Sequence, residues 1–92
     1  MIAEDINVKD FTKVLVMRMR SVPAIDITAL RALRDLVERA EKKGVTVVFS
    51  HVNEQPRQMM ERADFIRIVG EENFQPNIDA ALDRAEEILW LK

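Results

Sequence analysis

The chain has 92 residues, of which 48% are hydrophobic and 33% charged, so it can bury one modest core in a single small globular domain. Its 14 basic and 16 acidic residues give a net charge of −2, and this balance argues against a nucleic-acid partner. The absence of cysteine excludes disulfides and thiolate chemistry, and no apolar run approaches the length of a membrane span.

The first predicted element after an unassigned arm, residues 1–12, is a strand. The domain itself is predicted to span residues 13–92. Residues 14–17 are an unbroken apolar run, which favours a strand covered on both faces, parallel to its neighbours and central in its sheet. Pro23 lacks an amide donor and restricts Val22, so a loop at residues 21–26 must follow.

A long helix is predicted from Asp26 to Lys43. The carboxylate of Asp26 can accept a free amide of the first turn, from Thr28 or Ala29, so it is interpreted first as a helix cap. The glycine at position 44 can take the left-handed conformation that ends a helix. The apolar stripe of this helix is Leu30, Leu33, Leu36, Val37 and Ala40.

The second half of the chain continues the alternation of strands and helices. Residues 45–49 are β-branched and aromatic and predict a second strand, which completes a right-handed crossover unit. Asn53, with Pro56 shortly after it, can start a short helix. The apolar side of that helix is predicted to hold Met59, Met60 and Ala63.

A third strand is predicted at residues 65–69, nearer an edge of the sheet and ended by Gly70. Asn77 can cap a last helix. The stripe of that helix is predicted to be Ile78, Ala81, Leu82, Ala85 and Ile88 or Leu89. The predicted fold is therefore α/β, a small sandwich with a mostly parallel β-sheet and helices packed against it.

The loops after the strands are expected to gather at one edge of this sheet, where ligands usually bind. These loops are residues 21–26, 50–55 and 70–77. The side chains in these loops that could take part in binding or catalysis are Asp26, Thr28, Ser50, His51 and Asn53. The residues predicted to face a partner or ligand are Pro23, Ala24, Ile27, Ser50, His51, Asn53 and Gln55.

For the residues at this edge, structural or surface roles are favoured over catalysis. His51 is the single histidine of a chain without cysteine, so a surface role is favoured over a metal site. Ser50 and His51 are neighbours in sequence and do not suit a nucleophile and its base. Neither of the two glycines lies in a phosphate-binding run. The residues alone thus predict a non-enzymatic binding or regulatory domain without a cofactor.

The ordered segments SVPAIDITAL, EKKGV and HVNEQPRQMMERADF resemble those of a STAS domain, and in particular its sulfate-permease transporter branch. The resemblance covers about residues 13–89. Complete family members carry a further strand or two and a helix before the strand at residue 14. The resemblance therefore implies that the N-terminal elements are truncated, or that a partner covers the open sheet edge. The strand left partly unpaired predicts a homo-oligomer, formed through strands or by exchange of the N-terminal arm.

In the antagonist branch of this family, the residue two positions after the aspartate is a serine that a partner kinase phosphorylates. Thr28 falls on that position, with Ile27 and Ala29 in place of the usual serine and glycine. The resemblance implies that Thr28 is a phosphoacceptor. Threonine also suits the start of a helix, and this structural use of Thr28 is favoured over phosphorylation.

Two functions follow from the resemblance. The first is a non-catalytic cytoplasmic regulatory domain of a sulfate-permease-type anion transporter, which docks on the transporter membrane domain or on other cytosolic proteins. The alternative is a free-standing phosphorylation switch, similar to an anti-sigma factor antagonist, that binds a kinase. The first places the chain at the cytoplasmic face of the membrane, and neither requires a metal or cofactor.

Overall fold

The computed structural model describes residues 13–91. The elements, in order, are β1 (Val14–Arg18), α1 (Ile27–Lys42), β2 (Thr46–Ser50), α2 (Glu54–Arg62), α3 (Phe65–Val69), a 3₁₀ turn (Glu71–Asn73), β3 (Phe74–Gln75) and α4 (Ile78–Leu91). The predicted arm, residues 1–12, lies outside the described residues. Within the described part of the chain, no helix is both long enough and apolar enough to cross a membrane.

The sheet is parallel, with the strand order β1-β2-β3. β1 pairs with β2 along its length, from Val14 opposite Thr46 to Arg18 opposite Ser50. The predicted α/β fold and crossover unit are confirmed. Among the described strands, β2 and not β1 is the middle one, so the prediction of a central β1 is not met within this part of the sheet. An apolar run indicates that both faces of a strand are covered by other elements. It does not indicate that the strand has a hydrogen-bonded neighbour on each side.

The core lies on both faces of β2. Val47 and Phe49 pack on one face with buried side chains of α1, α2 and α3, whereas Val48 packs on the other face with α4. The alternation follows from the pleat, which sends successive side chains of a strand to opposite faces. Helices therefore cover the two faces of one sheet.

The boundaries of α1 are those that the sequence predicts. Asp26 Oδ1 accepts a hydrogen bond from the amide of Ala29 at 2.8 Å. Gly44 follows the helix with a φ of +75°, a left-handed conformation that a side chain disfavours. Leu30, Val37 and Ala40 are buried against the sheet. The first crossover helix is thus fixed by a local signal at each end.

The predicted third strand at residues 65–69 is wrong, because this segment forms the short helix α3. Asp64 adopts a left-handed conformation, with φ +62°, that turns the chain sharply after α2. The amide of Ile68 then donates to the Asp64 carbonyl at 3.2 Å, and the amide of Gly70 donates to the Ile66 carbonyl at 2.8 Å. A segment of five residues, four of them apolar, is too short for periodicity to separate a strand from a helical turn. The third strand is β3 instead, where Phe74 pairs with Phe49.

The last helix begins at the predicted residue, but fewer side chains of its predicted apolar stripe are buried. Asn77 Oδ1 accepts a hydrogen bond from the amide of Ala80 at 2.8 Å. The buried side chains on α4 are Ala81, Ala85 and Ile88. Leu82 and Leu89, which were assigned to the same stripe, are each 52% exposed. They are seven residues apart and lie together on one flank of the buried sector.

Candidate functional site

The candidate site lies where β1 and β2 end. The chain between β1 and α1, residues 19–26, meets the chain between β2 and α2, residues 51–53. The third predicted loop, residues 70–77, contains β3 itself, so only residues 76–77 follow a strand end there. Two of the three predicted loops are therefore brought together, and we call their joint surface the loop edge, comprising residues 19–28 and 51–55.

Asn53 joins the two loops through its side-chain amide. Its Nδ2 donates hydrogen bonds to the carbonyl oxygens of Arg20, at 3.0 Å, and Val22, at 2.8 Å. Asn53 occupies the position before α2, as predicted, but its side chain makes no capping bond to that helix. The residue that resembles a helix cap is used to hold the neighbouring loop.

Gln55 makes the second connection. The amide of Ile25 donates to Gln55 Oε1 at 2.8 Å, and Gln55 Nε2 donates to the carbonyl of Ile25 at 3.1 Å. One side-chain amide thus pairs with both polar groups of one backbone residue, as a neighbouring strand would. We call this pair of bonds the Gln55–Ile25 clamp. Sequence reasoning assigned Gln55 to a partner-facing loop and missed Ile25, because nothing local marks a contact between residues 30 positions apart.

The start of α1 is the exposed part of the loop edge. Thr28 is the second residue of the helix and is exposed, as are Pro23, Ala24 and Asp26. Ile27 is 53% exposed, which is large for an aliphatic side chain beside a helix cap. The edge therefore presents a hydroxyl, a carboxylate and an apolar side chain within three consecutive residues.

Ser50 and His51 lie in different surroundings. Ser50 is 1% exposed at the end of β2, whereas His51 is exposed and has a φ of +55°. The amide of His51 donates to the Gln75 carbonyl at 2.9 Å and so extends the β2–β3 ladder. Across the described residues, no group of three His, Cys, Asp or Glu side chains could hold a metal ion. The position of His51 fits the surface role favoured for it.

A groove away from the loop edge lies between α2, α3 and the 3₁₀ turn. It has a volume of about 490 Å³ and is lined by residues that include the charged Arg57, Glu61, Asp64 and Arg67. These pair with one another, as Arg57 does with Glu61 at 3.6 Å. A hydrogen bond from Arg67 lowers the pKa of Asp64; desolvation opposes this shift, and the charges of Arg67 and Arg34 add to the lowering. This groove is a set of surface ion pairs, and we place the site at the loop edge instead.

Comparison with known proteins agrees with this fold. The family model that matches is that of the STAS domain, over residues 2–81, a range that includes most of the predicted arm. A sulfate transporter family protein from Wolinella succinogenes matches with a TM-score of 0.84 and 32% identity, over 96% of this chain and 76% of that chain. A SulP transporter STAS domain from Vibrio cholerae matches with a TM-score of 0.85 and 26% identity, over 98% of this chain and 74% of that chain. The curated proteins gave no match.

Proposed function

Because the chain belongs to the STAS domain family, we propose that it is a non-catalytic regulatory and protein-interaction domain of a sulfate-permease-type anion transporter. In this function it lies on the cytoplasmic side and docks on the transporter membrane domain or on another cytosolic protein. The two solved relatives, whose names tie them to sulfate transport, support the transporter context.

The observation that carries the proposal is the loop edge. Asn53 and Gln55 hold its backbone in one arrangement, while Ile27, Thr28 and Asp26 stay exposed on it. A surface that is ordered before a partner arrives loses little conformational entropy on binding. Ile27 can supply apolar contact area there, and its polar neighbours can supply hydrogen bonds at the rim. Buried Ser50 and exposed His51 give this edge no paired nucleophile and base.

Binding of the purified chain to nanodiscs tests the proposal directly. The nanodiscs hold the membrane domain of a sulfate-permease-type transporter from the same genome, and empty nanodiscs serve as the control. We expect saturable binding that Ile27→Asp weakens. Aspartate suits the first turn of a helix, so this change places a charge in the contact without weakening α1.

A matched variant tests the competing surface, the charged outer face of α1. Arg34 and Glu38 are exposed, with 3.9 Å between their charged groups, so replacing both by alanine should leave binding unchanged. If that double variant abolishes binding while Ile27→Asp does not, the contact belongs to the helix face. If the wild-type chain does not bind, docking on the transporter membrane domain is wrong.

A second function is favoured by one observation, the exposed hydroxyl of Thr28 on the first turn of α1. In this alternative the chain is a phosphorylation switch that resembles an anti-sigma factor antagonist and binds a partner kinase. Phosphate at a helix start is favoured by the free amides and by the helix dipole. Incubation with serine kinases of the anti-sigma type, followed by mass spectrometry, should then add one phosphate to the wild type and none to Thr28→Val.

A further inference from the structure

The backbone of the loop after β1 is hydrogen-bonded by two side chains at the start of α2, those of Asn53 just before the helix and Gln55 in its first turn. Val22 closes a turn by donating to the Met19 carbonyl at 3.0 Å, after which the ladder to β2 has ended. Asn53 then satisfies the carbonyls of Arg20 and Val22, and Gln55 satisfies both polar groups of Ile25. For this stretch of backbone, the two side-chain amides thus take the place of a neighbouring strand.

The clamp adjoins the candidate site directly. Ile25 immediately precedes Asp26, whose carboxylate holds the amide of Ala29 at 2.8 Å. Fixing both polar groups of Ile25 restricts the backbone that leads into the Asp26 cap, and the cap in turn sets the direction of the first turn of α1. A glutamine side chain has several rotatable bonds, and ordering them costs free energy that these two bonds must exceed.

We infer that Gln55 is a positioning residue for the loop edge and that Asn53 assists it, so that the start of α2 is energetically coupled to the start of α1. A partner that binds and immobilises residues 23–28 stabilises the closed Gln55–Ile25 clamp. Because coupling between two sites is reciprocal, the closed clamp raises the affinity for the partner by the same factor, and loss of the clamp lowers it. The docking part of this inference rests on the proposed function, whereas the coupling of the two helix starts does not.

The first experiment measures the coupling without a partner. Hydrogen exchange, followed by NMR, should show the amide of Ile25 protected in the wild type and about tenfold less protected in Gln55→Ala. Gln58→Ala is the matched control, because Gln58 lies on the same helix and contacts only Glu54, at 3.4 Å, among the side-chain hydrogen bonds of the described residues. Gln55→Glu keeps the acceptor but places a carboxylate oxygen against the Ile25 carbonyl, so it should also lose the protection.

A double-mutant cycle between Gln55→Ala and Asp26→Ala completes this test. If the clamp positions the cap, Asp26→Ala should change the unfolding equilibrium constant about threefold less in the Gln55→Ala background than in the wild type. Additive effects, or an Ile25 amide that exchanges equally in Gln55→Ala and Gln58→Ala, would overturn the inference.

The second experiment measures docking on the nanodiscs described above. Gln55→Ala should weaken binding about tenfold while Gln58→Ala does not, and binding should slow exchange at Ile25 in the wild type. Equal binding by wild type and Gln55→Ala overturns the positioning role even if the proposed function holds. If the wild type does not bind, docking on the membrane domain fails, and the exchange and cycle measurements still decide the coupling.

Discussion

The ring of Phe74 stacks on the ring of Phe49, with 5.0 Å between centroids and 6° between planes. Phe65 of α3 meets both rings edge-on, at 5.8 Å and 6.4 Å. The three rings belong to β2, α3 and β3, and they fill the core beneath the end of the sheet. β3 pairs through only two residues, so this aromatic cluster, more than its ladder, holds the strand in place.

The first prediction concerns this cluster. Phe74→Ala should lower the free energy of unfolding by about 3 to 5 kcal/mol, because it removes a buried ring and leaves a cavity between two others. Ile68→Ala, at a 40% exposed position of α3, should cost less than about 1.5 kcal/mol. Urea unfolding followed by circular dichroism measures both. Equal costs would show that β3 is held by its backbone bonds.

The aromatic cluster also explains where sequence reasoning failed. The long helices and their caps at Asp26 and Asn77 depend on local signals, and these were predicted. β3 depends on a ring that stacks on another strand, and α3 depends on the left-handed Asp64, so neither is visible in a short apolar run. At the candidate site, the meeting of two loops was predictable from parallel topology, but the Gln55–Ile25 clamp was not.

The second prediction tests the cap of α1. Asp26→Ala should lower the free energy of unfolding by about 1 kcal/mol through the lost bond to Ala29, whereas Asp26→Asn should retain most of it. Arg34→Ala removes an exposed side chain whose nearest partner is Glu38, at 3.9 Å, and should change stability by less than about 0.5 kcal/mol. Thermal and urea unfolding measure these changes. A larger loss of stability in Arg34→Ala than in Asp26→Ala would contradict the assignment of Asp26 as the cap of α1.

The third prediction is that a negative charge at Thr28 does not disturb the fold. Thr28→Glu places a carboxylate in the first turn of α1, where the dipole favours anions by about 0.3 to 1 kcal/mol. The melting temperature should stay unchanged or rise slightly, and Thr28→Lys should lower it. A drop of many degrees in Thr28→Glu would show that this position is packed inward and cannot carry a phosphate switch.

The fourth prediction is self-association. On α4, Leu82 and Leu89 are each 52% exposed and Trp90 is 84% exposed, so the helix presents apolar area that a second copy could cover. Light scattering should show a dimer as the concentration rises. Trp90 is the chain's single tryptophan, so its emission should shift to shorter wavelength as the dimer forms. A strict monomer at high concentration contradicts this prediction, and a dimer without a spectral shift places the contact elsewhere.

The fifth prediction follows from the ion pair at the turn between α2 and α3. Arg67 Nε donates to both carboxylate oxygens of Asp64, at 3.0 and 2.9 Å, and this bonding lowers the pKa of Asp64 from its ordinary value of 3.8. A carboxyl with a lower pKa in the folded state stabilises the fold above its unfolded pKa, and this stabilisation is lost as the pH falls through the folded pKa. Wild type should therefore lose more stability on acidification than Asp64→Asn.

Asparagine is the appropriate substitution, because it tolerates the left-handed φ of +62° and removes the charge together with one of the two oxygens that accept from Arg67. The wild type should be the more stable protein at pH 7, and the difference should shrink below about pH 4 and disappear once the folded carboxyl is protonated. Urea unfolding between pH 7 and pH 2 measures it. In an Arg67→Gln background, Asp64→Asn should no longer change the pH profile, since the bond that lowers the pKa is gone. Parallel profiles for wild type and Asp64→Asn would show that this exposed pair contributes nothing to stability.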